Sequence, residues 1–142
     1  MDTARSLEVA DLQALLDSEL FADWVRELAL RVDAITNVAV HLTLPVAPRH
    51  VHGGGVLCGQ TLMAAADTAM VLAISAALGG FRPMTTVQLQ TSFLRPIAGD
   101  SGAAAITARV LRKGKTLVFG EIQIADAKGQ LAVHATTTYA LL

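Results

Sequence analysis

The sequence predicts an α+β fold in which one antiparallel sheet wraps around one long, buried helix. Residues 59–78 are apolar around most of the helical circumference, which is typical of a buried helix. Several shorter segments alternate apolar and polar residues between turn signals, which indicates strands joined by hairpins. The 142 residues suit a single domain, 1–142, with one hydrophobic core.

The part of the chain before the long helix predicts one helix and two strands. Apolar residues recur every three or four positions over about 7–24, the spacing of an amphipathic helix. They are Leu12, Leu15, Leu16, Leu20 and Trp24. Extended segments follow at 28–35 and 38–44, the second beginning at Val38, with a turn at Thr36-Asn37 between them.

The long helix is predicted to begin near Gly59, after a loop over 50–58 that contains three consecutive glycines. The pair Gly79-Gly80 is a helix stop signal. Four strands are predicted after it in hairpin series, at 86–94, 103–111, 116–125 and 131–139. In the first of these, the apolar side chains are predicted to share one face, namely Val87, Leu89 and Phe93.

Composition narrows the function classes. Hydrophobic residues make up 53% of the chain and charged residues 16%, which predicts more hidden surface than one small domain needs and hence a homo-oligomer. The net charge of −1 offers no basic field for nucleic acid. The single cysteine, Cys58, allows no internal disulfide and predicts a reducing, cytoplasmic setting. The four histidines and one cysteine lack metal-ligand spacing, so no metal is expected.

Neither a signal peptide nor a membrane span is predicted. Residues 1–8 mix polar and charged side chains, unlike a signal peptide. The uncharged stretch after Asp67 ends at Gly79-Gly80, short of the ~20 apolar residues that a membrane span requires. We therefore expect no membrane partner.

Asp67 is the only formally charged residue between Arg49 and Arg82. A carboxylate on an apolar helix is costly to bury unless it is paired or hydrogen-bonded. Asp67 therefore has a function or lies on a solvent-exposed edge of the helix. An isolated acid in an apolar setting is a candidate catalytic group. The alternative is a carboxylate that only caps or pairs with a loop.

Residues 55–60 (GVLCGQ) and 62–69 (LMAAADTA) resemble the signature of hotdog-fold acyl-CoA thioesterases of the PaaI-like, phenylacetic acid degradation type. In that family a Gly-x-x-His-Gly-Gly loop leads into a helix with a Leu-Ala-Asp-x-Ala segment. The likeness continues at 85–89, 93–96, 114–117 and 132–139, and it covers roughly 25–140. It implies a hotdog fold, an acyl-CoA substrate and no cofactor beyond the coenzyme A that the substrate carries.

The resemblance also implies a site. Asp67 would act as base or nucleophile, the amide of Gly59 would polarise the thioester carbonyl, and Thr86 would help to place water. The first N–H groups of a helix are free donors with partial positive charge, which suits the role given to Gly59. Gly59 and Asp67 are eight positions apart, ~12 Å along a helix, too far to touch one carbon. The site therefore needs a dimer, and family members form dimers or tetramers.

The chain departs from the family pattern at three positions beside Gly59. Cys58 stands where the family has histidine, Gln60 replaces the second glycine, and His52 stands where relatives often have asparagine. All three are candidate substrate-binding residues. Cys58 could be a nucleophile, but lone cysteines are more often packing residues. His52 could equally be an ordinary loop histidine.

Further substrate contacts are predicted from side-chain chemistry. Met63 and Met70 could line an acyl pocket, although core filling is at least as plausible a role. Arg112, Lys113 and Lys115 suit the phosphates of coenzyme A, the alternative being solvated turn residues.

Three other function classes compete with thioester hydrolysis. The protein could bind acyl-CoA or another apolar ligand without turnover, because the loop histidine is missing. Hydratases and dehydratases of the same fold usually pair an acid with a histidine in a local pattern that this chain lacks. A purely structural role would leave Asp67 unexplained.

Overall fold

The computed structural model describes residues 6–37 and 39–142, which form one antiparallel sheet around one long helix. The helices are α1 (Val9–Leu16), α2 (Asp23–Arg26) and α3 (Gly59–Leu78), with a 3₁₀ turn at Pro48–His50. The strands are β1 (Arg31–Ile35), β2 (Val40–Pro45), β3 (Met84–Phe93), β4 (Ala103–Lys113), β5 (Leu117–Ala125) and β6 (Leu131–Leu141). Their order across the sheet is β1-β2-β4-β5-β6-β3. The predicted α+β architecture is confirmed; residues 1–5 and the predicted strand start at Val38 lie outside the described residues.

The helix α3 begins and ends where the sequence predicts. Cys58 is its N-cap in an extended conformation, and Gly79 ends it with φ 77°, a left-handed conformation that glycine adopts without strain. The amides of Gly79 and Gly80 donate to the carbonyls of Ala76 (3.3 Å) and Ser75 (3.0 Å), which satisfies part of the helix C-terminus.

The helix α3 is longer and more apolar than the uncharged stretch on which the prediction of no membrane span was based. Its 20 residues contain an 18-residue window with a mean hydropathy of 1.7, enough by length and composition alone to cross a membrane. The expectation of too short a stretch was wrong because it counted from Asp67, and one carboxylate does not interrupt such a helix. In the structure 61% of that apolar window is buried inside the fold, and burial against the sheet accounts for its composition.

The predicted N-terminal helix over 7–24 is wrong as a single element. The hydroxyl of Ser18 donates to the carbonyl of Leu15 (2.6 Å) and accepts from the amide of Leu20 (3.2 Å), so side-chain bonds replace the helical ladder. The chain therefore turns, and α2 follows in a new direction. Because α2 and its turn run as far as Ala29, with φ 56°, β1 begins at Arg31 instead of residue 28.

The predicted hairpin between the first two strands after α3 is also wrong. β3 pairs with β6 at one edge of the sheet, whereas β4 lies between β2 and β5. A bulge between Thr86 and Gln88 takes Val87 out of the ladder and leaves it 60% exposed, so the three predicted apolar residues do not share a buried face. Phe93 is 49% exposed at the other end of the strand.

Met70 is a core residue. Its side chain is fully buried, and its tip packs so closely on the backbone of β5 that a Cβ at Gly120 would lie 2.2 Å from it. We expect Met70→Ala to lower the free energy of unfolding by about 2–5 kcal/mol through the cavity it leaves. Met63→Ala, on the exposed side of the same helix, serves as control and should change it by about 0.5 kcal/mol. Equal losses in denaturant titrations of the two variants would contradict this packing.

Candidate active site

Two hydroxyl groups hold the carboxylate of Asp67 at the middle of α3. The hydroxyl of Thr86 on β3 donates to Oδ1 (2.9 Å), and the phenol of Tyr139 on β6 also donates to Oδ1. The same phenol lies 2.9 Å from the backbone carbonyl of Asp67. Among the described residues no donor reaches Oδ2 and no cation pairs with the carboxylate, so one oxygen is fixed and the other is available for chemistry.

Strand register brings these two hydroxyls to one point. Thr86 and Tyr139 are directly paired across β3 and β6, next to the bulge at Val87. Asp67 thus has a hydrogen-bonded partner, which a buried carboxylate on an apolar helix requires. Thr86, whose predicted role is to place water, bonds to Asp67 itself, and its role toward water stays a prediction. Tyr139 was missed by sequence reasoning. Its one available signal was that it is the only tyrosine in the chain, between three threonines and the apolar last residues of the sequence.

The phenol of Tyr139 stays protonated in the folded protein and so remains a hydrogen-bond donor. It is 2% exposed, and burial, followed by the charge and hydrogen bond of Asp67, raises the pKa of Tyr139 far above its ordinary value of 10.0. The neutral phenol is therefore retained in the folded protein under conditions that ionise it in the unfolded chain.

This burial predicts a specific alkaline instability. Because the folded-state pKa of Tyr139 is raised, its contribution to stability is complete below pH about 10 and is lost as pH rises above that value. We expect tyrosinate absorbance, which reports this single tyrosine, to emerge only together with unfolding. The free energy of unfolding of Tyr139→Phe should fall less than that of the parent as the pH rises from neutral to strongly alkaline values. Free titration of Tyr139 near pH 10 in the folded protein would contradict the buried hydrogen bond.

A pocket of about 300 Å³ opens beside Asp67. Asp67, Thr86 and Tyr139 form its polar side. Its apolar side is formed by the turn before α2, by α2 itself, by α3 and by the segment that leads into β3, through Leu20, Phe21, Trp24, Val71, Phe81 and Met84. A second pocket of about 360 Å³ lies against the C-terminal half of α3, and none of the described residues in its lining has a carboxylate. The pocket beside Asp67 is therefore the candidate active site.

The N-terminus of α3 presents free backbone donors. The amides of Thr61 and Leu62 donate to the carbonyl of Cys58 (3.1 and 3.4 Å), which starts the helical ladder. Within the described chain the amides of Gly59 and Gln60 donate to no backbone acceptor, so they can polarise a ligand carbonyl. A side chain at Gly59 would meet the Phe93 ring at 3.2 Å, which shows how closely β3 approaches this helix start.

Hydrogen bonds within the loop before α3 fix its conformation. The His52 Nδ1 accepts from the amide of Gly54 (2.8 Å), and the Cys58 amide donates to the carbonyl of His50 (2.9 Å). The thiol of Cys58 contacts the hydroxyl of Thr61 (3.1 Å) and does not cap the helix. Burial lowers the pKa of His50, which stays neutral near pH 7. Cys58 and His52 therefore both have local structural partners.

The structure separates the predicted site residues into distinct groups. Thr86 donates a hydrogen bond to Asp67, whereas Cys58 and Gln60 are the chain neighbours of Gly59, ~10 Å or more along the helix from Asp67 of the same chain. His52 lies in the loop before α3 and bonds within that loop. Met63 is partly exposed on α3, and Met70 is in the core, the role that had been the alternative to an acyl contact. Arg112, Lys113 and Lys115 are exposed at the β4–β5 turn. Within the described residues no group of three His, Cys, Asp or Glu side chains could hold a metal.

Comparison with known proteins identifies similar sequences and folds. The sequence model of the thioesterase superfamily matches residues 50–133 of this chain. A Saccharolobus solfataricus protein named "Putative esterase SSO2140" is 32% identical over 99 residues, covering 70% of this chain and 69% of its own. The structure of thioesterase HI1161 from Haemophilus influenzae superposes with a TM-score of 0.85 at 23% identity over 98% of this chain and 93% of that chain. The E. coli PaaI protein from the phenylacetic acid degradation operon gives 0.77 at 20% identity over 92% and 89%. These structural matches confirm the predicted hotdog fold.

Proposed function

This chain belongs to the thioesterase superfamily, and on that premise we propose that it hydrolyses an acyl-CoA thioester to a carboxylic acid and free coenzyme A. The observation that carries the proposal is the carboxylate of Asp67, fixed at Oδ1 by Thr86 and Tyr139 and open to a pocket. A purely structural acid would use its oxygens within the fold, whereas this one leaves Oδ2 without a donor among the described residues.

The reaction follows from this arrangement. Asp67 takes a proton from water while the water oxygen bonds to the thioester carbon, and the carbonyl electron pair moves onto oxygen. A helix-terminal amide stabilises the resulting oxyanion. Collapse of the adduct breaks the C–S bond, and the proton passes to the departing sulfur. If Asp67 attacks the carbon directly, the C–S bond breaks, coenzyme A leaves as a thiolate and an acyl-aspartyl anhydride forms. Water then cleaves the anhydride to the free acid and the Asp67 carboxylate, and the proton released passes to the thiolate.

The oxyanion donor is proposed to be the Gly59 amide of a second copy of the chain. Gly59 and Asp67 lie at the first and ninth residues of α3, ~12 Å apart along its axis, so one copy cannot place both on one carbonyl. Two α3 helices packed antiparallel would bring each Gly59 to the other copy's Asp67. The edge position of β3, with Val87 and Phe93 exposed, supports a second copy at this side.

The basic turn between β4 and β5 is the proposed contact for the phosphates of coenzyme A. Tyr139 pairs with Val118 on β5, and Val118 pairs with Lys113 on β4, so the turn lies about two strand spacings, ~10 Å, from the Asp67 hydrogen bonds. Arg112 and Lys115 extend the exposed cationic group. Such a distance suits a substrate whose reactive thioester and charged nucleotide are far apart.

A second candidate function is binding of acyl-CoA without turnover. It is favoured by Cys58, whose thiol contacts Thr61 at the position where the family carries histidine. The chain would then use the same pocket and basic turn as a ligand site.

Release of free thiol from a panel of acyl-CoA esters tests the proposal. We expect turnover by the parent, linear in protein concentration and abolished in a variant that lacks the Asp67 carboxylate. Calorimetric binding of acyl-CoA without thiol release would support the binding function instead. Neither binding nor release across the panel would overturn both.

A further inference from the structure

We infer that the apolar half of the pocket beside Asp67 is the acyl subsite, that it selects compact, uncharged acyl groups, and that Trp24 forms the wall on which such an acyl group packs. This inference rests on the proposed function, since it concerns the substrate of the same site. It follows from the turn at Ser18, which directs Leu20, Phe21 and Trp24 over α3 instead of continuing α1.

The pocket has the chemistry of an acyl site. Its walls carry aromatic and aliphatic side chains, and Asp67 is the only charged side chain among the described residues that line it. A carboxylate at the far end of an acyl group would lie among these apolar walls, and no cation among the described lining residues would offset the cost of burying it. The pocket therefore selects against acyl groups that end in a carboxylate.

The size of the pocket limits the acyl group. Its volume of about 300 Å³ lies at the lower end of the range of small-molecule pockets. A chain of a few carbons or a single ring fits such a volume, and a long fatty acyl chain would have to extend out of it.

Trp24 is the residue most changed by occupancy. It is 60% exposed although it is the largest apolar side chain in the lining, so an acyl group in the pocket would cover it. It is also the only tryptophan in the chain, and its fluorescence therefore reports this pocket alone.

The first measurement is the fluorescence of the parent with coenzyme A, with its non-hydrolysable S-hexyl thioether, and with the matching S-(5-carboxypentyl) thioether. We expect a blue shift of the Trp24 emission with the S-hexyl compound and none with coenzyme A. The carboxylated compound should need an at least about tenfold higher concentration to give half of the same shift. An equal response to all three, or none to any, overturns the subsite.

The second measurement is the ratio of kcat/KM for hexanoyl-CoA to that for acetyl-CoA. We expect Trp24→Ala to lower this ratio by about tenfold and Trp24→Phe to retain it, because a ring still forms the wall. Leu131→Ala, at a partly exposed leucine far along β6 from Tyr139, is the matched control and should leave the ratio unchanged.

These outcomes separate the two proposals. Thiol release by the parent with an unchanged ratio in Trp24→Ala overturns the subsite and leaves the hydrolase proposal standing. Absence of thiol release together with the expected fluorescence pattern overturns the hydrolase proposal and supports the subsite as a ligand pocket.

Discussion

Asp67→Asn is expected to lower kcat/KM for acyl-CoA hydrolysis by about 10²–10⁴-fold, the range by which a positioned acid–base group contributes to rate. The amide keeps the shape of the side chain and its Oδ1 acceptor, so Thr86 and Tyr139 can still donate to it. What is lost is the negative charge that receives the proton of water or attacks the thioester. Initial rates of thiol release over a range of substrate concentrations measure the effect.

The control for this variant is Asp17→Asn, which removes an exposed carboxylate at the end of α1. It should hydrolyse acyl-CoA at the parental rate. Both variants should unfold cooperatively, so that a loss of rate is not a loss of structure. If a folded Asp67→Asn protein kept the parental rate, Asp67 would be neither the catalytic base nor the nucleophile.

Gly59→Pro is expected to lower kcat by about 10²–10³-fold, the usual cost of removing one oxyanion donor. Proline has no N–H, and it is well tolerated at the first position of a helix, where Gly59 lies. The preceding residue must then be extended, and Cys58 already has φ −71° and ψ 146°. The substitution thus deletes the proposed donor while the backbone keeps its conformation.

Gly59→Ala separates the amide from the side chain. Both variants place a Cβ near the Phe93 ring, at 3.2 Å from its nearest atom, and the half-exposed ring can move to admit it. Only the proline variant lacks the amide. We therefore expect Gly59→Ala to retain most of the activity that Gly59→Pro loses, and equal losses in the two would assign the effect to crowding of Phe93.

The central helix could be predicted to the residue because its signals are local. A glycine loop, a continuous apolar run and a terminal glycine pair place its ends at Gly59 and Leu78. The division of the N-terminal helix into two could not be predicted, since the spacing of Leu16, Leu20 and Trp24 is fully helical. The competing hydrogen bonds of Ser18 decide it, and they depend on how the following turn packs on α3.

The candidate site was predictable only in part for the same reason. Asp67 could be identified because its charge is isolated along the chain, and Thr86 because its surroundings resemble a known family. Tyr139 lies 72 positions from Asp67, and its role depends on β6 pairing with β3, a long-range pairing that hairpin signals do not reveal. The apolar pocket depends on the turn at Ser18 and was equally hidden.

The most direct test of the shared site is to combine the two inactive variants in one dimer. Asp67→Asn and Gly59→Pro chains carrying different affinity tags are co-expressed, and the heterodimer is isolated through both tags. In that species one site has an intact Asp67 and an intact Gly59 from different chains, and the other has neither. We predict about half the thiol-release rate of the parental dimer from the heterodimer, and almost none from either variant alone. A heterodimer as inactive as its parents, or a parental protein that is active as a monomer, would contradict a site built by two copies of this chain.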